Sequence, residues 1–160
     1  MAARSYDILA YKAHDIASNL YRLFIISTAS YVFPMKTLIS IHQALELAMK
    51  AAILKETDSK LRTRFFDNSL VAIQTNPRLS GLRQRVFLIG SEECLRKLNN
   101  CRDKHQHQGD KMEEFLTHRF HFVNLIKDSL GILLRLLSEC NVDVSELNLV
   151  LNQFAGANWP

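Results

Sequence analysis

A chain of 160 residues is long enough for one domain with a proper hydrophobic core. Hydrophobic residues make up 48% and charged residues 22%, and five glycines and three prolines are too few for a loop-rich all-β fold or a disordered chain. The formal charge of +4 is compatible with a polyanionic partner without demanding one.

The three cysteines, Cys94, Cys101 and Cys140, show no close pairing spacing and read as thiols of a reducing compartment. The start, MAARSYDILAYKAHD, carries charges through what would be the apolar region of a secretory signal. The most apolar run, LFIISTASYVFPM at 23–35, is too short to span a bilayer, and LGILLRLL at 130–137 is broken by Lys127, Asp128 and Arg135. The expectation is a cytoplasmic protein with no membrane partner.

Residues 5 to about 30 place apolar or small side chains at 13, 16, 17, 20, 23, 24 and 27, the spacing of one buried helix face, and Pro34 ends this element or its linker. The segment MKTLISIHQALELAMKAAILKE, 35–56, predicts a second helix with a stripe of Leu38, Ile41, Leu45, Ala48, Met49, Ala52 and Ile53. Thr57 and Asp58 break that pattern. A short helix near 66–75, a turn at Asn76-Pro77 and another short helix over about 80–89 follow. Gly90 reads as the stop of that short helix, and Ser91 is the expected N-cap of helix 91–108, with Glu92 and Glu93 in its first turn.

Cys94, Leu95, Leu98 and Cys101 form the apolar face of that helix, and Gln108-Gly109 its C-terminal cap. Asp110 is the expected N-cap of a last long helix, about 111–140, with a core stripe that includes Met112, Phe115, Ile126, Leu130, Leu133 and Leu137. Leu125, Ile132 and Leu136 lie on a flanking face, available to the C-terminal segment or to a second subunit. Ser145 caps a short helix over ELNLVLNQF. Period-two alternation is absent, so the expected fold is all-α: an antiparallel bundle of four main helices with additional short ones. It forms a single domain over 1–160, with a core of about 5–140 and a C-terminal segment at 141–160.

The stretch that asks for chemistry is NNCRDKHQHQG, 99–109, where Arg102, Asp103, Lys104, His105 and His107 crowd the end of the third main helix. A helix C-terminus favours cations. Asp103 stands four residues before His107, on the same face. Arg102 and His107 stand about 140° apart around the axis, a gap that only the arginine's length can close.

Four readings are open. The first is a solvated helix end. The second is a metal site from Cys94, Cys101, His105 and His107, which lacks any C-x-x-C or H-x(3–5)-H spacing and splits its ligands between core and surface. The third is a nucleophilic Cys101, opposed by its place on the buried stripe. The fourth is RNA cleavage by the RNA's own 2′-hydroxyl, which needs a base, an acid and a cation for the phosphorane. Histidine and arginine supply those groups without a cofactor.

The pattern Arg102-Asp103-x-x-x-His107 resembles the R-x4-H motif of the HEPN domains (higher eukaryotes and prokaryotes nucleotide-binding). LRKLNNCRDKHQHQ is similar to their third main helix. SIHQALELAMKAAILKE, with Glu46 and Lys50, is similar to their second. The likeness covers about residues 5 to 140. It implies an all-α bundle that dimerises with two motifs facing each other and, for many members, metal-independent endoribonuclease activity in toxin, antiviral-defence or RNA-processing roles. By this resemblance Arg102 clamps phosphate, His107 is the acid–base group and Asp103 is the polar helper. Some members carry a tyrosine two residues after the histidine as a modification site; here Gly109 stands there.

Lys104, His105 and Arg119 are candidate RNA contacts, and Lys97, Arg96 and Lys111 are further cations near them. Arg62, Arg64, Arg83 and Arg85 make the 60–85 region basic, which fits RNA contact or a purely structural role. His42 reads as a polar-face or partly buried histidine. The expected partners are RNA, a second copy of the chain, and a regulatory or antitoxin protein. The alternative is a non-catalytic HEPN module that binds a nucleotide or a partner protein.

Overall fold

The computed structural model describes residues 2–26, 33–58, 66–107 and 119–156. The described residues are helical, with no strand among them: α1 (Ala2–Ile26), α2 (Phe33–Thr57), α3 (Phe66–Thr75), a 3-10 turn (Pro77–Leu79), α4 (Ser80–Val86), α5 (Ser91–His107), α6 (Arg119–Glu139) and α7 (Ser145–Gly156). Four long helices, α1, α2, α5 and α6, form the bundle, and α3, the 3-10 turn and α4 fill the passage from α2 to α5, as the periodicity predicts.

The second helix is its axis. It packs on α1, α3, α5 and α6, so a single stripe understates what it buries. Beyond the expected Leu38, Ile41, Leu45, Ala48, Met49, Ala52 and Ile53, the side chains of Thr37, His42, Ala44, Ala51 and Leu54 are buried. A helix surrounded by protein is apolar on most of its circumference. By length and composition its stretch 37–57 would also suit a membrane, but 67% of that window is buried inside the bundle. Pro34 lies in the first turn of α2, where a missing N–H costs nothing. Against α2, α1 presents buried Ala10, Ala13 and Ala17, small residues that let two helices approach closely.

The ends of these helices are held by specific groups. Asp58, at φ 51°, takes the left-handed position after α2 and donates its N–H to Leu54 O at 2.8 Å. Asn141, at φ 60°, does the same after α6, with Val142 N–H reaching Leu137 O at 3.1 Å and Asn141 N–H reaching Ser138 O at 3.0 Å. The two buried side chains Val142 and Leu137 close that Schellman turn.

Two expected caps are corrected. Ser91 is the first residue inside α5: Gly90, at φ 84°, gives its carbonyl to Cys94 N–H, and the Ser91 hydroxyl accepts from Arg135. Ser145 is the first residue of α7, and the carboxylate of Asp143 receives both its N–H and its O–H, which holds the Asp143 carboxyl below its usual range. The flanking residues Ile132 and Leu136 are buried within the single chain. The C-terminal segment belongs to the bundle, because α7 packs on α1 and α6 through a buried Leu147. The expected caps at Gln108-Gly109 and Asp110, and the expected helix over 111–118, lie outside the described residues.

Candidate functional site

The last turns of α5 carry the cluster singled out in the sequence. Leu95 and Leu98 are fully buried and fix the helix on the core. One turn later the chain surfaces: the Arg102 side chain is 32% exposed and that of Asp103 47%. Arg102 Nη1 lies 3.0 Å from Asp103 Oδ1. Asp103 therefore engages its neighbouring arginine. A half-exposed ion pair of this kind contributes only about 0–1 kcal/mol after screening and side-chain ordering. A phosphate oxygen can displace the carboxylate at small cost.

Beneath this pair lies a polar chain that crosses three helices. His42 on α2 is 2% exposed, and its Nε2 lies 2.8 Å from Asn99 Oδ1 on α5. Asn99, 6% exposed, donates its side-chain N–H to Asp67 Oδ1 on α3 at 2.8 Å. An ionised carboxylate only accepts, so it takes the amide's NH2 group and turns the amide oxygen toward His42. The imidazole must then carry its proton on Nε2. The ring is stacked on Phe66, with centroids 4.3 Å apart and planes 20° from parallel.

Burial lowers the pKa of His42 below its ordinary value. The hydrogen bond to Asn99 works against that shift, the charge of Arg102 adds to it, and Glu46 and Asp103 oppose it. The ring is thus neutral at neutral pH, and the two candidate site residues lie close enough for their charges to act on it. Glu46 is itself paired with Lys50 at 2.8 Å, one turn along α2. In the sequence His42 reads as a polar-face or partly buried histidine, and neither Asn99 nor Asp67 stands out. A signal was available: histidine at the fourth position after Leu38, inside an otherwise apolar stripe, must find a buried partner.

Other candidates resolve differently. Cys94 is buried with its sulfur 3.4 Å from Ser129 Oγ, and burial raises its pKa, which works against the thiolate that a metal or a nucleophilic role requires. Cys101 is partly buried on the same face, as its spacing predicts. The described arginines of the basic segment hold the fold: Arg83 donates to Gln74 O at 2.6 Å, Arg78 to Thr57 O at 3.1 Å, and Arg85 bridges Glu139 at 2.9 Å and Glu56 at 3.2 Å. Arg62 and Arg64 lie outside the described residues. Lys104, His105 and His107 stand in the last turn of α5 and Arg119 opens α6; their side chains lie outside the described residues, as does Lys111.

Among the described residues, no three His, Cys, Asp or Glu side chains group as metal ligands. In comparisons with known proteins, no family model, curated protein or solved structure matches this chain.

Proposed function

We propose that this protein is a metal-independent endoribonuclease of the HEPN kind, cytoplasmic, and active as a homodimer in which Arg102 and His107 of each subunit build one composite site. The observation that carries the reading is the Arg102–Asp103 pair, which stands at the solvent edge of α5 on a helix fixed in the core one turn earlier. A guanidinium so held offers a charged fork to a phosphodiester without the cost of dehydrating a buried ion.

In the reaction, one His107 imidazole removes the proton of a ribose 2′-hydroxyl. The oxygen attacks the adjacent phosphorus, and Arg102 balances the charge that grows on the non-bridging oxygens. A protonated His107 from the other subunit gives its proton to the departing 5′-oxygen. The products are a 2′,3′-cyclic phosphate and a 5′-hydroxyl. A single copy of the motif supplies one base or one acid at a time, so a second copy completes the chemistry. Lys104, His105 and Arg119 extend the cationic surface along the RNA, and a separate regulatory protein restrains the activity.

RNA cleavage by purified protein in EDTA tests this, with wild type, Arg102→Ala and His107→Ala compared at the same dimer mass. Cutting by the wild type alone is the expected result. Intact RNA after incubation with a folded dimer, across several RNAs, moves the assignment to a module that binds a nucleotide or a partner protein.

A further inference from the structure

We propose that His42 and Asn99 are positioning residues for Arg102: the chain from the buried imidazole through Asn99 to Asp67 fixes α5 against α2 and α3, and so sets the direction from which the guanidinium meets a phosphate. This rests on the reading of Arg102 as a phosphate clamp.

The placement of Asn99 carries the argument. It precedes Arg102 by three residues and Asp103 by four, so all three share one face of α5. Its amide is fixed at both ends by bonds of 2.8 Å, to a histidine 57 residues away and an aspartate 32 residues away. The histidine in turn is fixed by its stacking on Phe66. Packing of Leu95 and Leu98 attaches α5 to the core, but apolar contact is non-directional and tolerates a few degrees of rotation. Hydrogen bonds lose strength steeply with angle and do not. A rotation small enough for the core to absorb is magnified at the end of a long arginine side chain. Burying two polar side chains, His42 and Asn99, where apolar ones would pack is costly unless each is satisfied. The site at which the chain places them is one turn below the charged pair.

The test uses the full chain in wild-type form and as His42→Phe, His42→Gln, Asn99→Ala and Asp67→Ala, with two readouts. The first is RNA cleavage kinetics in EDTA; the second is the NMR resonance of the Arg102 Nε–Hε group. Phenylalanine keeps the stack on Phe66 and loses the N–H; glutamine can still offer one to Asn99. We expect kcat to fall roughly 100-fold in His42→Phe and Asn99→Ala, the scale of a misplacement of about 1 Å, with KM within a few-fold and the Arg102 resonance shifted. His42→Gln recovers part of both. Asp67→Ala, at an exposed position that folding tolerates, shifts them the same way and decides the question if the buried variants do not fold. Wild-type kcat and an unmoved Arg102 resonance in the folded variants overturn the proposal. If wild type itself leaves RNA intact, the ribonuclease reading fails, and the Arg102 resonance alone decides whether the positioning stands.

Discussion

His42 Nε2 and Asn99 Oδ1 meet at 2.8 Å across the buried interface of α2 and α5, 57 residues apart in the chain. The bond is directional, and its two partners are 2% and 6% exposed. Neither group can turn to water if the other is lost.

Asn99→Leu therefore leaves the His42 N–H buried and unsatisfied. The expected cost is about 1–3 kcal/mol, the penalty of an orphaned buried donor. Adding His42→Phe to Asn99→Leu removes the orphan and recovers much of the loss. Denaturant unfolding of the two single variants and the double variant checks this; additive losses would mean that the two side chains do not act as a pair.

The same histidine makes stability depend on pH. Its folded-state pKa lies below the ordinary 6.5, with burial the main cause. As pH falls below 6.5 the unfolded chain takes up a proton that the folded chain resists, so stability falls until the folded value is passed. The charges that bear on the ring are Arg102 and Asp103 on α5 and Glu46 on α2, with Asp67 of α3 reached through Asn99. Urea midpoints are expected to drop between about pH 7.5 and pH 5.5, and to drop less in His42→Phe. Parallel pH profiles for the two proteins would remove His42 as the source.

Much of the architecture was legible because helix spacing reports burial directly. Leu38, Ile41, Leu45 and Met49 announce α2, and Leu95 and Leu98 announce α5; each is buried. Helix ends were less legible. Ser91 and Ser145 have the chemistry of N-caps, yet tertiary partners claim the Ser91 hydroxyl, and Asp143 lies two residues upstream of Ser145. The arginines of the 60–85 segment could not be told apart as RNA contacts or structural groups, because their acceptors Gln74 O, Glu56 and Glu139 are distant or backbone atoms. In the candidate site, Arg102 and Asp103 stand out in the sequence, but the four-residue spacing directs Asp103 toward His107 and does not show its pairing with Arg102. The His42–Asn99–Asp67 chain joins three helices, and no spacing within one segment encodes it.

Asp103 holds the Arg102 guanidinium at 3.0 Å, so a phosphate bound there under the proposed reading must displace it. Asp103→Asn removes the charge and keeps a polar side chain of the same size. RNA is expected to bind a few-fold more tightly, with the folded stability changed by less than about 1 kcal/mol, because the pair is partly exposed. Fluorescence anisotropy with a labelled RNA in EDTA measures the affinity. Weaker binding in Asp103→Asn would assign Asp103 to substrate contact instead.

The cysteines should separate by reactivity. Burial pushes the Cys140 thiol up to about 11 and raises that of Cys94, whereas Cys101 is only partly buried near the end of α5. Alkylation at neutral pH followed by mass mapping is expected to label Cys101 first, and Cys94 and Cys140 only on unfolding. Rapid labelling of Cys140 in the native protein would contradict the packing of α6.

The most direct test of the proposed chemistry is an oligonucleotide of deoxyribonucleotides with a single ribose, incubated in EDTA with wild type, Arg102→Ala and His107→Ala. The reading predicts one cut, 3′ to the ribose, leaving a 2′,3′-cyclic phosphate with wild type alone. Cutting at deoxyribose positions, or equal cutting by Arg102→Ala, would contradict it.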